Sequence, residues 1–174
     1  VYDALRHNRR LLISPTASGK SLMIYSLVRY HVERGQNTLI VVPTTSLVEQ
    51  MYKDFADYGW DVGSFCHKIY AGRERETDSQ VIITTWQSIY KLPRKYFSRF
   101  NVVVGDEAHQ FKSKSLISIM TKLADAKYRY GFTGTLDGTQ THKWVLEGLF
   151  GPSYKIIKTD ELMKKGHVAQ LDIN

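Results

Sequence analysis

The sequence predicts an α/β fold: a doubly wound, mainly parallel sheet flanked by helices. Short apolar runs alternate with longer amphipathic segments along the chain, which is the order of strands and crossover helices in such a sheet. Several of the runs are continuous and β-branched, as expected of strands that are covered on both faces. Polar turns follow them, at the position where open α/β sheets bind ligands.

The first half of the chain alternates strand and helix twice. Each run of about five apolar residues precedes an amphipathic segment of helical length, and a glycine ends each of these segments. In order, we predict a strand over residues 10–14, a helix over 21–34 before Gly35, a strand over 38–42 and a helix over 46–58 before Gly59.

The second half continues the alternation with less regular spacing. A charged, polar stretch over residues 74–80 is predicted to be a surface loop, and Pro93 interrupts the helix that starts after Thr85. In order, we predict strands over 67–70 and 81–84, that interrupted helix, a strand over 101–105, a helix over 113–124, a strand over 128–132, a helix over 143–149 and an extended segment over 154–157.

A phosphate-binding turn is predicted between the first strand and the first helix, with the sequence Ser14-Pro15-Thr16-Ala17-Ser18-Gly19-Lys20-Ser21. A strand, a turn and a helix in this order gather free N–H groups and the positive end of the helix dipole around one point. Lys20 would reach the β- and γ-phosphates, and the Ser21 hydroxyl would hold Mg²⁺. The segment matches the Walker A pattern except at Ser14, where the pattern has glycine. Because an ordinary polar loop is the alternative, a second signal is needed.

That signal follows the strand over residues 101–105, whose core is Val102-Val103-Val104. Asp106 and Glu107 come directly after this strand, where ligands bind in open α/β sheets. Asp106 would hold Mg²⁺, usually through water, and Glu107 would polarise an attacking water. Alone, the acidic pair could belong to a solvated loop. Together with the phosphate-binding turn, it predicts a nucleotide hydrolase.

Five motifs, in order along the chain, resemble those of the superfamily 2 helicases and translocases. Asp106-Glu107-Ala108-His109 resembles motif II in its DEAH spelling, and residues 15–21 resemble motif I, in which the residue before Ser18 is more often glycine. Residues 43–50 are similar to motif Ia, residues 84–88 to motif Ib and residues 131–135 to motif III.

The resemblance implies a RecA-like P-loop domain that covers residues 1–174 as the N-terminal, ATP-binding lobe of a helicase. In this family a second RecA-like lobe supplies arginine fingers and closes the ATP cleft. Both ends of the sequence resemble cuts within a longer polypeptide, so we expect the second lobe elsewhere in that polypeptide. The isolated first lobe should then hydrolyse ATP only feebly, because the transition-state charge lacks those arginines.

The resemblance also implies roles for residues outside the nucleotide site. His109 would link hydrolysis to motif III, in which Thr133, Gly134 and Thr135 would couple the nucleotide state to the nucleic acid. Hydroxyls and amides after strand ends suit phosphate oxygens and position a nucleic-acid strand without reading its sequence. The alternatives are helix N-capping for Thr45 and Thr85 and an ordinary turn at Gly72. The expected nucleic-acid contacts are Pro43, Thr44, Thr45, Gly72, Thr84, Thr85 and Gln87.

Length, charge and cysteine content limit the classes of function. A chain of 174 residues suits one domain, and it has neither an apolar run of membrane-spanning length nor a secretory signal at residues 1–10. The net charge of +7, from 24 Lys and Arg against 17 Asp and Glu, favours a polyanionic partner. Cys66, the single cysteine, is expected in the core. We therefore expect a cytoplasmic monomer without membrane contact, in the host cytoplasm if a phage encodes it.

The leading hypothesis is an ATP-driven motor that needs ATP and Mg²⁺ and acts on nucleic acid. The resemblance favours DNA over RNA, and branched DNA in recombination, repair or replication restart. An RNA helicase or a double-stranded DNA translocase of the same superfamily is the first alternative. A P-loop small-molecule kinase would leave Glu107 and His109 without a role. A nucleic-acid-binding module with a vestigial ATP site would not need Lys20, Asp106 and Glu107 intact.

Overall fold

The computed structural model describes residues 9–13, 17–70, 78–107, 110, 113–123, 126–133, 149–150 and 153–155. Within these ranges strands and helices alternate along the chain. The strands are β1 (Arg9–Ile13), β2 (Thr38–Val42), β3 (Cys66–Ile69), β4 (Val81–Thr85), β5 (Val102–Gly105), β6 (Tyr128–Thr133) and β7 (Ser153–Lys155). The helices are α1 (Ala17–Val32), α2 (Thr45–Asp57), α3 (Val62–Phe65), α4 (Trp86–Ile89), α5 (Arg94–Phe97) and α6 (Ser113–Lys122).

The described strands form one sheet in the order β3-β4-β2-β5-β6-β1-β7, and each neighbouring pair is parallel. Parallel pairing places the carboxyl ends of these strands at the same edge of the sheet. The segments after β1, β2, β4, β5 and β6 therefore meet at that edge, where ligands bind in folds of this class. The predicted parallel α/β architecture is confirmed.

Helices cover both faces of the sheet. The side chains of each buried strand therefore alternate between two hydrophobic clusters, one on each face. On β2, Ile40 and Val42 face the cluster that includes α1, α2 and α3. Leu39 and Val41 of the same strand face the cluster that includes α4, α5 and α6. Burial on both faces explains why strands such as β2 and β5 are continuously apolar rather than alternating.

Glycines end the two long helices of the first face, as predicted. Gly35 and Gly59 have φ angles of 73° and 93°, which side chains rarely tolerate. At the start of α2, the N-cap is Thr44, whose hydroxyl accepts a 3.3 Å hydrogen bond from Leu47 N. The alternative role of Thr45 as the cap of this helix therefore falls to its neighbour, and Thr45 is the first helical residue.

Two helices differ from the predictions, and the first difference affects the site. Helix α1 begins at Ala17, four residues before the expected start, so the turn after β1 is shorter than predicted. The short helix α3 was not predicted, because four residues are too few to show a helical period. The helix predicted over 143–149 lies almost entirely outside the described residues.

Cys66 is buried at the start of β3, as predicted, and burial raises the pKa of its thiol to about 12. It therefore behaves as a small core side chain rather than a nucleophile. Among the residues that the structure describes, none belongs to a helix that is both long and apolar enough to cross a bilayer.

Candidate nucleotide site and neighbouring polar surface

Lys20 lies in the first turn of α1 and contacts both carboxylates that follow β5. Its Nζ lies 3.1 Å from Asp106 Oδ1 and forms a second ion pair with Glu107 Oε1. Lys20 is 7% exposed and Asp106 is 3% exposed, so water screens their attraction little. The predicted convergence of this amine with the two carboxylates is confirmed.

The turn after β5 holds the two carboxylates in different ways. The backbone N–H of Asp106 donates a 2.9 Å hydrogen bond to the carbonyl of Val41, which ties this turn to the end of β2. Glu107 has a φ of 52°, in the left-handed region that non-glycine residues seldom adopt. Such backbone strain persists where the surrounding structure imposes it, often at functional residues.

The ion pairs form one wall of a cavity of about 450 Å³, within the range of small-molecule sites. Helix α2 forms the opposite wall. The cavity therefore lies between the first turn of α1, the face of α2 and the turn after β5. Its described lining residues are Lys20, Ser21, Leu47, Gln50, Met51, Asp54, Tyr58, Asp106 and Glu107.

Asp54 is a wall residue that the sequence analysis missed. Its Oδ2 accepts a 2.8 Å hydrogen bond from the Ser21 hydroxyl, and its Oδ1 accepts a 2.8 Å hydrogen bond from Gln50 Nε2. The position of Asp54 along α2 could have indicated that it lines the cavity, since residues three or four positions apart lie on the same face of a helix. Leu47, Gln50, Met51, Asp54 and Tyr58 have this spacing and line the cavity.

The start of α1 suits a polyphosphate. The structure describes the backbone of Ala17, Ser18 and Gly19, which forms the first helical turn, and no acidic residue lies in that turn. The unpaired N–H groups of a helix start and the positive end of its dipole favour an anion. Pro15 and Thr16, also predicted to bind nucleotide, lie outside the described residues.

The residues of the cavity also fit Mg²⁺, which prefers oxygen ligands, keeps several waters and uses one or two carboxylates. The Ser21 hydroxyl and the carboxylates of Asp106 and Glu107 line the same space and offer such oxygens. In the described part of the chain, no group of three or more His, Cys, Asp or Glu is arranged to hold a metal ion by itself. A Mg²⁺ site that is completed by water and phosphate oxygens does not need such a group of protein ligands.

The residues predicted to contact nucleic acid differ in exposure. Thr44 and Thr45 are exposed beyond the end of β2, and Gln87 is exposed on α4. Thr84 and Thr85 are buried. The hydroxyl of Thr84 donates to the Thr85 carbonyl at 3.0 Å, and that of Thr85 pairs with the Ser88 hydroxyl at 2.8 Å. In this structure, Thr84 and Thr85 therefore present no hydroxyl to a ligand.

Thr45, one of these exposed residues, lines a second hollow of about 480 Å³. Glu49, on α2, accepts hydrogen bonds there from the Tyr70 hydroxyl and, at 3.0 Å, from Lys68 Nζ. Gln87 Nε2 donates a 3.1 Å hydrogen bond to the carbonyl of Pro43, so α4 is tied to the segment before α2. The described lining residues of the hollow are Thr45, Ser46, Glu49, Gln50, Lys53 and Tyr70.

The predicted coupling residues are only partly covered by the structure. Thr133 is the last residue of β6 and is fully buried. Its strand lies between β1 and β5, which precede the phosphate-binding turn and the carboxylates. Gly72, His109, Gly134 and Thr135 lie outside the described residues, so their predicted roles stay predictions.

Comparisons with known proteins identify the family of the chain. The model of a family described as "Type III restriction enzyme, res subunit" (ResIII) matches residues 3–138. The chain is 36% identical to the "ATP-dependent DNA helicase uvsW" of Enterobacteria phage T4 over 179 residues, which cover all of this chain and 36% of that relative.

Solved structures show the same fold. The crystal structure of T4 UvsW superposes with a TM-score of 0.84 at 34% identity, over 92% of this chain and 33% of that one. The Hef helicase domain of Pyrococcus furiosus gives a TM-score of 0.69 at 19% identity, over 87% of this chain and 36% of that one, which is a likeness of fold. The chain thus spans about a third of the length of the relatives that it matches.

Proposed function

Because the chain belongs to the ResIII family, within the superfamily 2 helicases, we propose that it is the ATP-binding lobe of a nucleic-acid helicase or translocase. The observation that carries the proposal is the contact of Lys20 with both Asp106 and Glu107 in the cavity between α1 and α2. In this proposal the three side chains bind phosphate, hold the metal ion and activate water, and they come from two segments more than 80 positions apart in the sequence.

In the proposed mechanism, the helix start at residues 17–19 and the Lys20 amine bind the β- and γ-phosphates. Ser21 and Asp106 would hold Mg²⁺, which would neutralise the charge that develops on the phosphates. Glu107 orients a water for in-line attack and accepts its proton.

A kinase is the competing function, since the same turn can bind ATP for transfer to a small acceptor. The lysine and two carboxylates suit either reaction, because both use one carboxylate for the metal ion and one as a base. The relatives named as helicases favour hydrolysis.

We further propose that nucleic acid binds along the edge formed by Thr44, Thr45 and Gln87, beside the hollow that Lys53 lines. Exposed hydroxyls and amides suit phosphate oxygens, and the net charge of +7 favours a polyanion. DNA is the preferred partner, because the most similar relative reported above is named as a DNA helicase.

The complete motor would include a second RecA-like lobe of the same polypeptide. That lobe would supply arginines to the cavity and act with this one as a monomer in the cytoplasm, which is the host cytoplasm if a phage encodes the protein. Branched DNA of recombination, repair or replication restart is the proposed substrate. The chain's coverage of about a third of its relatives supports a motor with further parts.

The test compares Glu107→Gln with the wild type in the full-length protein. The variant keeps a side chain of the same size but cannot accept a proton, so ATP hydrolysis should fall about 10²- to 10⁴-fold while nucleotide binding persists. Hydrolysis is measured with single-stranded, forked and four-way DNA, and with RNA. Glu33→Gln, on the exposed turn after α1, is the matched control.

Stimulation of the wild type by DNA supports the proposed motor, and stimulation by RNA alone would overturn the preference for DNA. If ATP is consumed only with a small acceptor, the protein is a kinase. Unchanged hydrolysis in Glu107→Gln would falsify the assignment of Glu107 as the base.

A further inference from the structure

We propose that Asp54 is a positioning residue for the nucleotide site: it orients the Ser21 hydroxyl so that the oxygen faces Mg²⁺. This inference rests on the proposed function, because it assigns Asp54 a role toward the metal of that same site. Asp54 lies on α2, outside the motifs that the sequence analysis assigned to nucleotide or nucleic acid.

The hydrogen bond between Ser21 and Asp54 is the first step of the argument. A serine hydroxyl has one proton and two lone pairs. Ser21 directs its proton to Asp54 Oδ2 at 2.8 Å, so both lone pairs of the oxygen remain available. Ser21 can therefore ligate a metal without breaking this bond, and a carboxylate that accepts the proton makes the oxygen a better ligand.

The second step is that Asp54 is itself held in place. Its other oxygen, Oδ1, accepts a 2.8 Å hydrogen bond from Gln50 Nε2. Gln50 and Asp54 are four residues apart on α2, so they lie one above the other on the same face. The chain of bonds from Gln50 through Asp54 to Ser21 thus fixes the hydroxyl from one rigid helix.

The third step is charge. Among the cavity-lining residues that the structure describes, the charged side chains are one lysine and three carboxylates, those of Asp54, Asp106 and Glu107. Lys20 pairs with two of them, while Asp54 is bonded to the neutral groups of Ser21 and Gln50. The excess of two negative charges favours a divalent cation in this space, and Asp54 contributes to that excess.

A purely structural role for Asp54 makes a different prediction. In that case, its removal would lower the stability of the protein equally with and without Mg²⁺. A positioning role acts only when the metal is bound, so it changes the Mg²⁺ requirement and leaves metal-free nucleotide binding unchanged.

The experiment uses the full-length protein and measures the rise in unfolding temperature that ADP produces as Mg²⁺ is titrated. For Asp54→Ala, the Mg²⁺ concentration at half of the full rise should increase about tenfold, the usual scale for losing such a partner of a metal ligand. The rise that ADP produces in EDTA should not change. Asp57→Ala, at the exposed end of the same helix, is the matched control and should match the wild type.

Two further variants make the result specific. Asp54→Asn keeps an oxygen that can accept the Ser21 proton but loses the charge, so it should raise the Mg²⁺ requirement by less, about threefold. This variant also tests the proposal if Asp54→Ala does not fold. In a Ser21→Ala background, Asp54→Ala should raise the requirement only about threefold, because the hydroxyl that it orients is gone and only its charge is lost.

Each result decides between the two proposals. If the wild type shows no Mg²⁺-dependent rise with ADP, the proposed nucleotide site itself fails. If that rise is present but the Asp54 variants match the wild type, only the positioning role is overturned. An equal, tenfold effect of Asp54→Ala in the Ser21→Ala background also overturns it, since Asp54 would then act on the metal without Ser21.

Discussion

His31, near the end of α1, is a buried histidine that the site does not use, and its ring is bonded through both nitrogens. Nδ1 lies 2.6 Å from Gln36 Oε1, and Nε2 lies 3.2 Å from the Tyr130 hydroxyl. The neutral ring satisfies both contacts when Nδ1–H donates to Gln36 and Nε2 accepts from Tyr130. Burial, with a smaller contribution from the nearby charge of Arg34, lowers the pKa of His31.

This environment predicts an acid-sensitive fold. Because the pKa of His31 is lower in the folded protein than in the unfolded chain, the unfolded state binds more protons below about pH 6.5. The stability that neutral His31 supplies is present above this pH and is lost as the pH falls toward the folded-state pKa. Between pH 6.5 and pH 5.5 the free energy of unfolding should therefore fall.

The measurement is thermal unfolding between pH 7.5 and pH 5.5, with His31→Gln beside the wild type. The variant should lose this part of the pH dependence. His67→Gln, at a half-buried position on β3, is the control and should keep it. The same pH dependence in His31→Gln would show that other groups cause it.

Single residues of the site were predictable where a motif fixes both residue type and spacing. Lys20, Asp106 and Glu107 were found in this way, and they meet as expected. Asp54 was not found, because its role depends on how α2 packs beside α1, which no local pattern states. The burial of Thr84 also depends on the strands beside it, so sequence alone overstated its availability to a ligand.

The end of strand β5 and the segment around Phe150 are packed without space between them. A Cβ atom added to Gly105 would lie 2.8 Å from Phe150 Cζ, closer than such atoms approach in proteins. Phe150 is fully buried in the cluster on the side of α4, α5 and α6. Glycine just before Asp106 is therefore explained by this close approach rather than by backbone conformation.

This contact predicts a paired effect of substitutions. Gly105→Ala should lower the free energy of unfolding by about 1–3 kcal/mol, because the added methyl group overpacks the core. Phe150→Leu should cost about 1 kcal/mol by itself, through the small cavity that it leaves. Combined, the two should cost less than their sum, since leucine makes room for the methyl group. Thermal unfolding of the four proteins measures this, and simple additivity would contradict the proposed contact.

Secondary structure was predictable for long, periodic elements and less so for short ones. Strand β2 has the predicted bounds, and α2 differs from its prediction by one residue at each end, since Gly59 and the apolar period mark it clearly. The start of α1 was missed because residues 17–20 lack an apolar period, so their helical conformation is set by the fold around them.

The cavity with Lys20, Asp106 and Glu107 lies at the carboxyl edge of the sheet. Under the proposed function this cavity needs a second lobe for fast hydrolysis, so we expect weak hydrolysis by the chain in isolation. The 174-residue chain should bind MgADP, but its ATPase rate should lie at least about 10³-fold below that of the full-length protein, the scale of a missing arginine finger. Steady-state ATPase assays with and without DNA compare the two. The full-length Lys20→Ala variant gives the background rate. Strong DNA-stimulated turnover by the isolated chain would contradict the need for a second lobe.

Global features were the most predictable, because the alternation of strands and crossover helices indicates a parallel sheet, although the strand order itself was not predicted. The parallel sheet with helices on both faces needs no long-range information beyond that alternation. The position of β7 beside β1 could not be foreseen, since a three-residue strand carries little pattern of its own.

The central position of β5 in the described sheet determines which part of the domain opens last. Three strands lie on each side of β5, whereas β3 and β7 each have one neighbour in the described sheet. Amide deuterium exchange should therefore be slowest in β5 and fastest in β3 and β7. Fraying begins at these outer strands, and the two acids that follow β5 stay beside the lysine until the interior of the sheet unfolds.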